Sequence, residues 1–166
     1  DGQLITSGIA EPKDILLLDG PTNRCLDLML NWPHVWCITN YEKLWRIIRS
    51  LEDNNLSAHY DMIIADESTK IKNHSTKVFK GMMKIGKPAK HRIAMSGQPI
   101  EQSPLDAWAQ CEWVEPGALG YRTFYEFQND FSIVTRTKLV GNAKIPVRRA
   151  WQNLDKLQRL IERFSV

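Results

Sequence analysis

Four short runs, residues 15–18, 35–38, 62–65 and 93–95, are apolar at every position and are bounded by polar or turn residues. Alternating apolarity would mark strands with one wet face. Continuous apolarity over three or four residues suits strands covered on both faces, as in a parallel sheet. Between the runs lie three stretches with helical patterning, residues 23–30, 42–51 and 75–85. Strand and helix thus alternate, which predicts βαβ units and an α/β fold in which one parallel sheet flanked by helices carries the four strands. After residue 95 the pattern turns helical, over 104–114, 121–130 and 154–164. Pro104 suits a first helical turn, with Ser103 ahead of it as a candidate cap.

The stretch 131–150 breaks the pattern. Gly141-Asn142 is a turn signal between "IVTRTKLV" and "AKIPVRR", and it predicts a basic hairpin or ordered loop within a single 166-residue domain. Pro146 confines that hairpin to a sheet edge.

A chain of this length buries roughly 70% of its unfolded surface, and 43% apolar with 25% charged residues is ordinary for a globular domain. No apolar run approaches the ~20 residues that span a bilayer, so no membrane partner is expected. Cys25, Cys37 and Cys111 form no CxxC pair. That argues against a disulfide framework and a structural zinc site, and for a reducing, intracellular (cytoplasmic or nuclear) setting. His34, His59, His74 and His91 show no metal-ligand spacing.

Net charge is +3, unevenly spread: residues 69–92 hold seven Lys and one Arg and no acid. Such segregation permits a polyanionic partner, although a solvated lysine-rich helix face explains it as simply.

One run ends abruptly. Residues 62–65 stop at Asp66-Glu67, followed by "STKIKN". In open parallel sheets, ligands bind beyond the carboxyl ends of strands. Two hard carboxylates there suit Mg2+ and phosphoryl chemistry. On the dipeptide alone, a pair of acids opening a helix is the better account.

"DESTKIKN" resembles the "DEGHRIKN"-like motif II of Swi/Snf-type DNA translocases in helicase superfamily two. "MSGQPIEQSPLDAWAQCEWVEPGALG" is similar to motif III and its flank, "LSGTPIQN…LWSLLNFLxPGxLG". "DILLLDGP" and "VWCITNYEKL" resemble the segments before motif II, and "YRTFYEFQNDF" and "WQNLDKLQRLIERFSV" those after motif III. The resemblance runs through nearly the whole chain, in order.

The resemblance implies a RecA-like first motor lobe, ATP and Mg2+ as cofactors, and nucleic acid, DNA before RNA, as partner. It gives Asp66 the Mg2+, held through water, and Glu67 the attacking water. It makes Thr69, Ser96, Gly97, Gln98 and Pro99 the elements coupling hydrolysis to nucleic acid. Thr39, Asn40, Tyr41, Lys43 and Lys72, with the hairpin's Arg136, Arg148 and Arg149, become candidate phosphate contacts. Asn40 is equally a helix cap. Two departures from the pattern matter: Thr69 replaces a His, and Gln98 replaces the Thr of SGTP.

In that family the phosphate-binding loop precedes everything seen here, and a second RecA-like lobe follows. The segment alone is therefore expected to be inactive. "GMMKIGKP" at 81–88 mimics a phosphate loop, but it follows a helix pattern and puts Pro88 where a Ser or Thr belongs. Two other functions compete: a non-catalytic nucleic-acid-binding module that kept the fold, and a Mg2+-dependent nuclease, for which further clustered acids are not evident.

Overall fold

The computed structural model describes residues 2–31, 35–140 and 143–163, with side chains left undescribed over 135–140 and 143–149. The chain divides into two compact units, residues 1–63 with 75–91, and residues 64–74 with 92–166.

In the first unit, α1 (Gly2–Thr6) precedes β1 (Ile15–Leu17), α2 (Thr22–Asn31), β2 (Trp36–Ile38) and α3 (Tyr41–Asp53), and α4 (Lys77–Gly86) completes it. β1 and β2 pair in parallel, Ile15 opposite Trp36 and Leu17 opposite Ile38. Asn40 starts α3 by accepting a hydrogen bond from the Lys43 amide at 2.8 Å, as its residue type anticipates. Ile47, Ile48 and Leu51 form the buried stripe of α3. Phe79, Met82 and Ile85 form the corresponding stripe of α4.

Gly81 lies inside α4, so "GMMKIGKP" is helix where a phosphate loop would need an open turn. Its glycine has a packing reason. A Cβ there would sit 3.1 Å from the Trp45 Cβ and 3.2 Å from the Trp45 Cα on α3. The absent side chain lets the two helices approach closely, and the Lys77 ammonium lies 5.1 Å from the Trp45 ring centre.

β3 (Met62–Ala65) and β4 (His91–Ala94) form a second pair. The His91 amide donates to Asp61 and the Met95 amide to Ala65. Both strands advance four residues between these bonds, which makes the pairing parallel. The four strands thus make two two-stranded sheets rather than one. At three or four residues each, they fall at the short end of strand lengths and offer few ladder bonds.

The second unit is mainly helical: α5 (Asp106–Val114), α6 (Phe124–Phe131) and α7 (Leu154–Glu162), with β5 (Ser132–Val140) and β6 (Ala143–Trp151) pairing antiparallel. The Gly141-Asn142 turn and Phe164 lie outside the described residues. Seven of the nine α5 residues are buried, so this helix has no wet face. Trp113, Phe127 and Phe131 are fully enclosed.

The end of α6 is pinned by one carboxylate. Asp130 accepts from the Lys156 ammonium at 2.6 Å, the Asn153 amide group at 2.8 Å and the Tyr121 hydroxyl. Lys156 chiefly, then Tyr121, holds the Asp130 carboxyl below its ordinary pKa. Asp130 in turn raises Lys156.

Two outcomes follow. Gly81→Val should destabilise the fold by about 1–3 kcal/mol through overpacking against Trp45, read by chemical denaturation. Asp130→Ala should lower Tm at pH 7 by several degrees. A depressed carboxyl stabilises above its unfolded pKa of about 3.9, and that contribution disappears as pH falls through the folded value. The raised Lys156 contributes below about 10.4 and loses its effect as pH rises through its folded value. The Tm gap between wild type and variant should therefore be widest between roughly pH 4 and 10 and close on both sides.

Candidate functional site

β3 delivers Asp66 and Glu67. Its last residue, Ala65, is buried, and both acids beyond it are exposed. Glu67 is held at φ 49°, ψ 53°, the left-handed region that residues with a Cβ seldom adopt. Its own N–H donates to the Asp66 carboxylate at 3.0 Å. The chain then makes a 3-10 turn over Ser68–Ile71. Ser68, Thr69 and Ile71 are buried there.

β4 delivers the second element. Ser96 lies two residues past its end, and Gly97, Gln98 and Pro99 are exposed. The Ser96 hydroxyl accepts from the Gln98 amide at 3.2 Å. The Ser68 amide donates to the Met95 carbonyl at 2.9 Å. The turn after β3 is therefore bonded to the end of β4, and Asp66 and Ser96 emerge at the same, carboxyl, end of the pair.

Lys72 turns inward. Its ammonium meets Glu101 at 2.5 Å and Asp106 at 3.8 Å. Glu101 raises the Lys72 pKa and Lys72 lowers that of Glu101. Thr69, at the position of the motif's His, lies near enough to the Glu101 carboxylate to help lower its pKa.

Asp106 accepts from the backbone amides of Glu101, Gln102 and Ser103 at 3.2, 2.8 and 3.3 Å. Ser103 does not cap α5: the cap position falls on Leu105, without a side-chain bond, and the Ser103 hydroxyl instead donates to Asp106. Sequence patterning singles out neither Asp106 nor Gln110. The available signal is slight: Gln110 lies between Trp108 and Trp113 on a helix that also carries Asp106 and Glu112.

The remaining candidates lie elsewhere. Thr39, Asn40, Tyr41 and Lys43 belong to the first unit. The Thr39 hydroxyl is buried without a hydrogen-bond partner, Asn40 caps α3, and the Lys43 ammonium donates to the Gly20 carbonyl. Arg136, Arg148 and Arg149 sit on β5 and β6, their side chains among those not described.

The described residues contain no cluster of three or more His, Cys, Asp or Glu that could hold a metal ion, and no helix among them is long and apolar enough to cross a membrane. Two exposed carboxylates at a strand end do not form a protein cage. They fit an ion such as Mg2+ that keeps most of its waters and takes phosphate oxygens as well.

Short strands ending in a carboxylate pair and a Ser-Gly loop, flanked by helices, define a RecA-like α/β architecture. The Sulfolobus solfataricus SWI2/SNF2 ATPase core, solved in complex with dsDNA, is similar over 71% of this chain and 22% of that one, with a TM-score of 0.56 and 28% identity. The SNF2-related domain model matches residues 15–166, and the chain belongs to that family. The transcriptional regulator ATRX homolog of Caenorhabditis elegans is 32% identical over 108 residues, 62% of this chain and 8% of the relative. The DNA repair and recombination protein RAD54 of Saccharomyces cerevisiae is 26% identical over 130 residues, 78% of this chain and 14% of the relative. The chain thus spans about a tenth of the length of these two curated relatives.

Proposed function

We propose that this chain supplies motif II (the Walker B element, Asp66-Glu67) and motif III (Ser96–Pro99) of an intracellular ATP-dependent DNA translocase. The observation that carries this reading is the convergence of both elements at one end of the β3–β4 pair, joined by the bond from the Ser68 amide to the Met95 carbonyl. The family match supports it, as does a structural neighbour solved with dsDNA.

In this reading Asp66 holds Mg2+ through water, and the ion supplies charge neutralisation at the phosphates. Glu67 orients the attacking water and accepts its proton. Its exposure leaves the carboxylate available for both tasks. Thr69, Ser96, Gly97, Gln98 and Pro99 relay the state of the nucleotide to the nucleic acid. Asn40, Tyr41 and Lys43 in the first unit, and Arg136, Arg148 and Arg149 in the second, are the candidate contacts, made to phosphates and so indifferent to base sequence, whereas Lys72 is engaged with Glu101 and the Thr39 hydroxyl is buried. Residues 1–166 by themselves hold no Gly-rich loop and Lys opening a helix after a strand, so alone they should bind ATP weakly and turn none over.

A non-catalytic module is the second reading. The departures at Thr69 and Gln98 favour it.

In the full-length protein, Glu67→Gln should lower kcat for ATP by roughly 100-fold or more while leaving nucleotide affinity within about twofold, and Asp66→Asn should raise the Mg2+ concentration needed for half-maximal rate. Turnover by Glu67→Gln at the wild-type rate would discard the catalytic assignment.

Changing Arg136, Arg148 and Arg149 together to Ala should weaken duplex binding equally for all sequences. The slope of log affinity against log salt should flatten by roughly 0.9 per lost phosphate contact. Unchanged affinity and slope would remove these arginines from the contact set.

A further inference from the structure

The side chain of Gln110 sits on the buried helix α5 and is 5% exposed, yet every hydrogen-bonding group it carries is used. Its Oε1 accepts from the Ser68 hydroxyl at 2.7 Å. Its Nε2 donates to the Pro99 carbonyl at 2.6 Å and to the Asp106 carbonyl at 2.9 Å. The network sets the orientation of the amide, since only the NH2 end can donate to two carbonyls. Ser68, at 2% exposed, is equally enclosed. Against the motif patterns quoted above, Ser68 stands where motif II has Gly, and Gln110 where the flank of motif III has Leu. Both departures are polar and buried, and each is the other's partner.

What this pair grips is the turn that carries Glu67. The left-handed geometry of Glu67 is disfavoured for a residue with a Cβ and persists only where its surroundings enforce it. Ser68 is the next residue. Its amide is tied to Met95 and its hydroxyl to Gln110, and Gln110 is also tied to Pro99 at the end of the Ser96–Pro99 loop. We propose that Gln110 is a positioning residue: through Ser68 it holds Glu67 in its left-handed geometry, and through Pro99 it sets that residue's place relative to the 96–99 loop. The proposal rests on the ATPase reading for its effect on turnover, and on the fold alone for its effect on the backbone.

The test is a double-mutant cycle in the full-length protein, with Ser68→Ala, Gln110→Met and both together. Steady-state ATPase rates are measured beside hydrogen–deuterium exchange of the segment 64–72, with 122–131 as internal control. Gln110→Met should lower kcat about tenfold with KM for ATP within twofold. It should also speed exchange at Glu67 and Ser68 at least tenfold while the control segment stays unchanged. Ser68→Ala should act in the same direction, and the double variant should be no worse than the poorer single one. Wild-type exchange at 64–72 in Gln110→Met, an unchanged kcat beside an active wild type, or additive effects would overturn the proposal. If Gln110→Met fails to fold, Ser68→Ala decides by the same two readouts. If the wild type hydrolyses no ATP, the ATPase reading fails and the exchange result alone decides whether Gln110 holds the turn.

Discussion

Three successive backbone amides, those of Glu101, Gln102 and Ser103, converge on the carboxylate of Asp106. Enclosing a carboxylate this deeply carries a desolvation penalty unless charge and hydrogen bonds offset it. Here three N–H groups, the Ser103 hydroxyl and the Lys72 ammonium at 3.8 Å do so. In return the loop after β4 closes tightly onto the start of α5. Everything downstream depends on that closure. It places Glu101 where Lys72 and Thr69 reach it, and it fixes the start of a helix whose later turn presents Gln110 to Ser68. Without the Asp106 anchor, the 96–103 loop would keep its attachment to β4 but lose its registry with the turn after β3.

Two kinds of link then join the turn after β3 to the loop after β4, and they differ in strength. The Lys72–Glu101 pair has side chains 22% and 44% exposed. Pairs in such surroundings contribute little, because water screens the charges and ordering two side chains costs entropy. The Ser68–Gln110 bond has little access to water. Its net contribution when formed is similar, but removing one partner strands a buried polar group at about 1–3 kcal/mol. Specificity of geometry therefore resides in the buried amide rather than in the ion pair.

The strand positions were readable because continuous apolar runs such as 62–65 mark extended segments, but the double coverage that such runs suggest is not seen: Met62 and Ile64 on β3 and Ile93 on β4 are exposed. The acids at 66 and 67 were readable as a strand terminus from the end of that run, and Asn40 as a cap because its bond to Lys43 spans three residues. The contacts that shape the site were not. Ser68 and Gln110 are 42 residues apart, and Lys72 and Glu101 are 29 apart. No local period encodes such pairs. Ser103 looked like the cap of α5 from its residue type, but its hydroxyl donates to the Asp106 carboxylate three residues on, and the helix begins beyond it with Leu105 at the cap position. The division of four strands into two pairs was equally hidden, since patterning marks which segments are extended and not which of them share hydrogen bonds.

The departures from the motif patterns gain meaning from the same network. An imidazole at position 69 would carry both a donor and an acceptor. The hydroxyl of Thr69 is smaller, and its influence falls on the nearby Glu101 carboxylate. Gln98 keeps a polar side chain in an exposed loop, where only its backbone amide is engaged, on the Ser96 hydroxyl. The two strand ends are thus linked by backbone and by α5 more than by the side chains at positions 69 and 98. Substitution at the exposed Gln98 should therefore disturb this network less than substitution at Asp106 or Gln110, which lie on a helix with seven of its nine residues buried and reach the segments after both strands.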